Sequence, residues 1–192
     1  VGSREADADF PGTAHALEHM MFRGTEDLSA AQIAAIGAAL GGQVNAFTTN
    51  DATSYYFTMP SQFVDVALRL HAERMKGVLN AKADWQQERG AIEQEVNAAM
   101  SSPIQVAIKR MRAQLYTDTP YSHDALGTRE SFDQTTAKRL QSFYDTWYTP
   151  SNATLIVTGD VEPDAIVDKA KTLFGDIKSH DVPKRAPVEP EK

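Results

Sequence analysis

The stretch QVNAFTTNDATSYYFTMP, residues 43–60, limits the choice of fold more than any other feature, because here the hydrophobic period changes. Tyr55, Phe57 and Met59 alternate against Tyr56 and Thr58, the two-residue period of a half-buried strand, and Asn50-Asp51 supplies turn chemistry between two β-rich runs. An antiparallel hairpin over 43–48 and 53–59 is expected. On either side the period is helical. Residues 12–24 read as a helix closed by Gly24. Ser29 and Gln32 announce a second through a capping box, with Ile33, Ile36 and Leu40 on one face and Gly41-Gly42 as its stop. Val64, Ala67, Leu68 and Met75 then form an apolar stripe that runs out near Gly77. A polar helix over about 83–101 and another over about 104–115 are divided at Pro103. Residues 116–133 read as a loop, and a helix over about 134–147 leads to ATLIVTGD, 153–160, which reads as a buried strand. Pro163 opens a last helix, expected to bury Ile166, Ala170, Leu173 and Phe174 and to end at Gly175.

Six or seven helices with three strands predict an α+β fold, an antiparallel or mixed sheet packed against several helices. Three strands make a small sheet with two open edges, so either the domain is mostly helical or strands are missing from the chain. The opening Val1-Gly2-Ser3-Arg4, which has no initiator methionine, favours missing N-terminal strands. With 192 residues the chain accommodates one ordinary domain, placed at 1–180. The segment 181–192, with Pro183, Pro187 and Pro190 among charges, reads as a linker or tail.

A formal charge of -7 and the lack of a Lys/Arg cluster argue against nucleic acid as a partner. No apolar run of about 18 residues is present, so no membrane span is expected. The chain has no cysteine, and any metal must therefore be held by His, Asp or Glu.

One such arrangement stands in PGTAHALEHMMFRGT. At about 100° per residue, with His15 at zero, Glu18 falls near about -60° and His19 near about +40°. Two imidazoles four apart can chelate Zn²⁺ while the carboxylate between them reaches an adjacent water, the inverted form of the common zinc-peptidase motif. The plainer reading is a pair of surface histidines on an amphipathic helix. By chance the pattern is expected in roughly one chain in a hundred of this composition. A catalytic zinc also needs a third ligand, and the polar helix offers Glu88 and Glu95, two turns apart on one face with Ile92 between them, while Glu93 points elsewhere. His71, His123 and His180 suggest polar-face, loop and tail residues, and Tyr121, Trp147 and Tyr148 suggest packing.

Taken in order, VGSREADADFPGTAHALEHMMFRGT, GGQVNAFTTNDATSYYFTMP, ERGAIEQEV and YTPSNATLIVTGDV resemble the N-terminal catalytic repeat of the pitrilysin family of inverzincin zinc metallopeptidases. The family includes insulin-degrading enzymes, mitochondrial processing peptidases and bacterial zinc peptidases. The resemblance implies a two-layer α/β sandwich of the pitrilysin type and a zinc-dependent endopeptidase. It makes His15, His19 and Glu95 the metal ligands, Glu18 the general base, and Glu88 a supporting carboxylate. It places a peptide or small-protein substrate as an added strand along Asn45, Ala46, Phe47 and Thr48. It also implies strands preceding Val1, a second homologous repeat or partner subunit that closes over the substrate, and an extracytoplasmic bacterial location; a homo-oligomer is compatible with it. The alternative is a non-catalytic binding or assembly subunit of the same fold. Retention of all four site residues favours the enzyme.

Overall fold

In the computed structural model, which describes residues 1–185 and 187–188, the centre of the core is a short helix. This is α1 (Thr13–Met20), whose Ala14, Ala16, Leu17 and Met20 are fully buried. They occupy the side opposite the His15–Glu18–His19 face, so one helix supplies both the packing and the site. α1 rests on α4 (Lys82–Met100) through Trp85, Ile92 and Val96, and on α7 (Ala137–Trp147) through Leu140, Phe143 and Tyr144. Phe132 of α6 (Arg129–Gln134) completes the cluster against Trp85. The Trp85 indole N–H donates to Thr135 O at 2.8 Å, so the aromatic core holds no orphaned donor there.

The hairpin forms as expected. β1 (Gln43–Thr48) pairs antiparallel with β2 (Thr53–Thr58), with Ala46 opposite Tyr55 and Thr48 opposite Thr53. The pleat turns Val44, Ala46, Thr48, Tyr55 and Phe57 inward, toward α1, the helix that carries Gly37, and α3 (Val64–Lys76), and leaves Phe47 and Tyr56 on the open face. α2 (Ala30–Ala39) begins at the predicted capping box: Ser29 accepts from Gln32 N, and Gln32 returns a bond to Ser29 N. It ends at Gly41, whose φ of 63° is the left-handed turn that a helix stop requires. α5 (Pro103–Leu115) follows α4, and α8 (Pro163–Phe174) packs on α3.

Several expectations change. Residues 153–158 form no strand and join no sheet among the described residues, and Leu155 and Ile156 are 43% and 77% exposed rather than buried. Hydrophobic character had suggested burial, but burial requires a neighbouring strand, and the sheet described has two strands only. The predicted loop 116–133 contains α6, started by a Thr128–Ser131 capping box that the sequence reading passed over. α8 buries no residue completely; Ile166, Ala170, Leu173 and Phe174 are half-buried. The tail is not free throughout, since Arg185 pairs with Glu5 at 2.5 Å and lies over the Trp147 ring; residues 186 and 189–192 of the expected linker fall outside the described residues. No described helix is long and apolar enough to cross a membrane.

α3 carries a buried cation, Arg74, and a half-buried histidine, His71, that the helical period had not distinguished from its surface. Arg74 is 2% exposed, its guanidinium has no hydrogen-bond partner among the described residues, and it is caged by the rings of Phe22, Phe57 and Tyr55 at 4.6, 5.3 and 5.9 Å. Cation–π contact replaces part of its lost hydration, and burial lowers its pKa to about 10. His71 is not a polar-face residue: it packs edge-on against Phe57 at 4.7 Å, and burial, then the Arg74 charge, lowers its pKa to about 4.

The unfolded chain therefore takes up a proton at His71 near the ordinary histidine value while the folded chain resists it. Stability from this site is complete above about pH 6.5 and declines as pH falls toward about 4. His71→Gln is expected to flatten that part of the stability profile, by up to about 3 kcal/mol at the acid end, in urea melts between about pH 7 and pH 4.5. An unchanged acid slope would contradict the burial assignment.

Candidate metal centre and catalytic site

Two glycines set the position of α1. Gly12, its N-cap, has φ 90°, and Gly127 has φ 80°. A Cβ on Gly12 would stand 2.7 Å from both Gly127 Cα and Phe132 Cζ, and one on Gly127 would stand 2.6 Å from Pro11 O. Only this side-chain-free contact lets the loop before α6 approach the start of α1, where Ala125 and Leu126 wall the site. Asn50 also holds the loop, donating to His123 O at 3.1 Å and accepting from Arg112 at 2.5 Å. Gly127→Ala is expected to cost about 2–4 kcal/mol in denaturant unfolding, from left-handed strain plus the clash; a loss below about 0.5 kcal/mol would show that the contact is not required.

The open face of α1 looks into a cavity of about 630 Å³ lined by His15, Glu18, His19, Glu88 and Glu95, with β1 along one side. Nε2 of His15 is 3.4 Å from Glu95 Oε2, and Nε2 of His19 is 3.6 Å from Glu95 Oε1. The three ligand atoms lie within 4.8 Å of one another. Those separations exceed the about 2.8 Å of a direct charged hydrogen bond and approach the about 3.4 Å that divides two donors each about 2.1 Å from a tetrahedral zinc. Two imidazoles and a carboxylate also form a donor set zinc accepts, so the residues present fit a zinc ion.

Glu88 does not join this cluster. Its Oε2 lies 2.9 Å from His19 Nδ1, and its Oε1 pairs with Arg23. The carboxylate thereby holds the proton on Nδ1 and leaves Nε2 free to ligate. His15 is half-buried; desolvation and then the His19 charge lower its pKa to about 4, so its imidazole is neutral at ordinary pH, the form that could ligate a metal. Glu93 pairs with Arg89, away from the cavity.

Glu18 is 7% exposed. Burial raises its carboxyl pKa and Glu95 adds to the shift, while the Thr48 hydroxyl, donating to Glu18 Oε2 at 2.5 Å, and His19 oppose it. All four residues Asn45–Thr48 border the cavity, yet Thr48 touches the carboxylate of Glu18, a contact that motif reading had not anticipated. Phe22, Ala125 and Leu126 were missed as well; they come from positions with no polar signal. His123 and His180 stay outside the cluster, each near a main-chain carbonyl.

The family model described as Insulinase (Peptidase family M16) matches residues 1–129. The chain belongs to peptidase family M16. A second model of the family, described as Peptidase M16 inactive domain, matches residues 134–192. Among curated M16 relatives, an uncharacterized zinc protease of Rickettsia felis is 33% identical over 178 residues, covering 93% of this chain and 43% of the relative. Zinc protease PqqE of Helicobacter pylori is 33% identical over 183 residues, covering 94% and 41%. The crystal structure of a protease from Helicobacter pylori superposes with a TM-score of 0.92 at 29% identity, over 100% of this chain and 46% of that one. The chain thus spans less than half the length of the M16 relatives it matches, and zinc is the metal for which those curated relatives are named.

Proposed function

We propose that this M16 chain is the zinc-site domain of an endopeptidase that hydrolyses extended peptides. The carrying observation is the convergence of His15, His19 and Glu95 ligand atoms beside a buried Glu18, in a cavity bordered by an open strand edge. His15, His19 and Glu95 would hold the ion, with Glu88 orienting His19. Zinc, when bound, polarises a scissile carbonyl and acidifies water so that a carboxylate can deprotonate it near neutral pH. Glu18 takes that proton and returns it to the leaving amine, a task suited to a carboxyl raised by burial yet held in one rotamer by Thr48. Among the described residues β1 has a strand on one side only, so a substrate backbone can add to it, with Asn45–Thr48 supplying sequence-tolerant main-chain contacts. The Ala46 N–H is donated to Asn45 Oδ1 at 2.8 Å, a bond the incoming strand displaces. A second homologous repeat or a partner subunit would close over the substrate, in an extracytoplasmic bacterial setting.

The test is hydrolysis of an unstructured, internally quenched peptide by the zinc-loaded protein that contains this domain. Hydrolysis is expected to stop on chelation and return with added zinc. Activity indifferent to chelator would overturn the proposal.

A further inference from the structure

The two residues that mark the hairpin turn in the sequence, Asn50 and Asp51, do not close it. Thr49 does: its backbone N–H donates to Ala52 O at 2.8 Å, and its hydroxyl oxygen accepts from Ala52 N at 3.0 Å. Neither Asn50 nor Asp51 takes the positive φ that makes these residue types useful in tight hairpin turns. Their side chains reach other segments instead. The Asn50 amide donates from Nδ2 to Ser3 Oγ and to His123 O, both at 3.1 Å, and accepts at Oδ1 from Arg112 of α5 at 2.5 Å. His123 O can only accept and the guanidinium can only donate, so the two partners fix which way the amide faces. Asp51 accepts from the Tyr121 phenol at 2.6 Å and from Arg4 at 3.3 Å. These bonds join two walls of the cavity. Thr48, the last residue of β1, lies two positions before Asn50, and Ala125 lies two positions after His123.

We propose that Asn50 is a positioning residue that sets the gap between β1 and the Ala125–Leu126 wall, and with it the size of side chain a bound peptide can present there. Arg112 holds the amide so that Nδ2 faces His123, and the Tyr121–Asp51 bond braces the same loop a little earlier. The other end of the loop is fixed where Gly127 meets Gly12. Breaking the Asn50 bond therefore frees the segment between these anchors, which is the part that walls the cavity. The effect on peptides rests on the proposed function; the bonds that hold the wall do not.

Two measurements test it. Asn50→Asp keeps the side-chain size and the Arg112 pair, but loses both donors and turns a carboxylate toward the His123 carbonyl. In the chain itself, with alanine and leucine methyls labelled for NMR, the Ala125 and Leu126 signals are expected to shift, while those of Ala14, Ala16 and Leu17 in the core stay in place. In the zinc-loaded peptidase, two quenched peptides are compared that differ only in alanine or phenylalanine beside the scissile bond. The ratio of kcat/KM for phenylalanine over alanine is expected to rise about 10-fold, the scale on which a packed pocket discriminates size. Arg112→Gln is expected to move both readouts the same way and less far. A loss of stability alone would lower both peptides alike. Ala125 and Leu126 signals unmoved in both variants, or a peptide ratio within about twofold of the parent, would overturn the proposal. Shifted signals in a protein without peptidase activity would uphold Asn50 as the residue that sets the gap and sink the proposed function instead.

Discussion

Glu18→Gln is expected to leave a folded protein that binds zinc normally and hydrolyses peptide about 10²- to 10⁴-fold more slowly. Glutamine keeps the size of the side chain and can still accept from the Thr48 hydroxyl, so the packing around α1 is preserved. It cannot take a proton. Glu18 is not among the three groups whose ligand atoms converge, and the substitution removes no donor from that cluster. Folding is expected to be no worse, because an amide loses less than a carboxylate when 93% of it is withdrawn from water, the residue being 7% exposed. The measurement is kcat for a quenched peptide alongside zinc content. Turnover within about twofold of the parent would remove Glu18 from the reaction.

Substitutions around the proposed zinc site separate holding from orienting. His19→Ala is expected to abolish stoichiometric zinc binding, since two remaining donors cannot complete the site. Glu88→Gln is expected to retain zinc with about 10- to 100-fold weaker affinity, because Glu88 fixes the His19 tautomer from the far side of the ring at 2.9 Å. Zinc titration against a competing chelator distinguishes these outcomes. Equal losses in the two variants would make Glu88 a ligand and contradict the geometry.

The parts of this site that sequence made legible are those set by local periodicity. His15, Glu18 and His19 share a helix face whatever else the chain does, and so do Glu88 and Glu95 with Ile92 beneath them. The hairpin and the Ser29 capping box were legible for the same reason, since turn and cap chemistry act within a few residues. What stayed hidden depends on distant partners. Residues 153–158 carry the composition of a core strand, yet their exposure is decided by which strands lie beside them. Arg74 lies in a helix rich in charged residues, and only the three rings around it reveal that it is interior. The contact between Gly12 and Gly127 forms one wall of the cavity, but neither glycine lies in a motif that names the other. Tyr148 reads as a packing residue until its hydroxyl is seen to meet Tyr55.

Metal analysis of the purified chain at neutral pH tests the central claim most directly. The account predicts about one zinc ion per chain, lost in both His19→Ala and Glu95→Gln and kept in Glu18→Gln. A chain with no zinc, or with zinc that survives removal of His19, would contradict it.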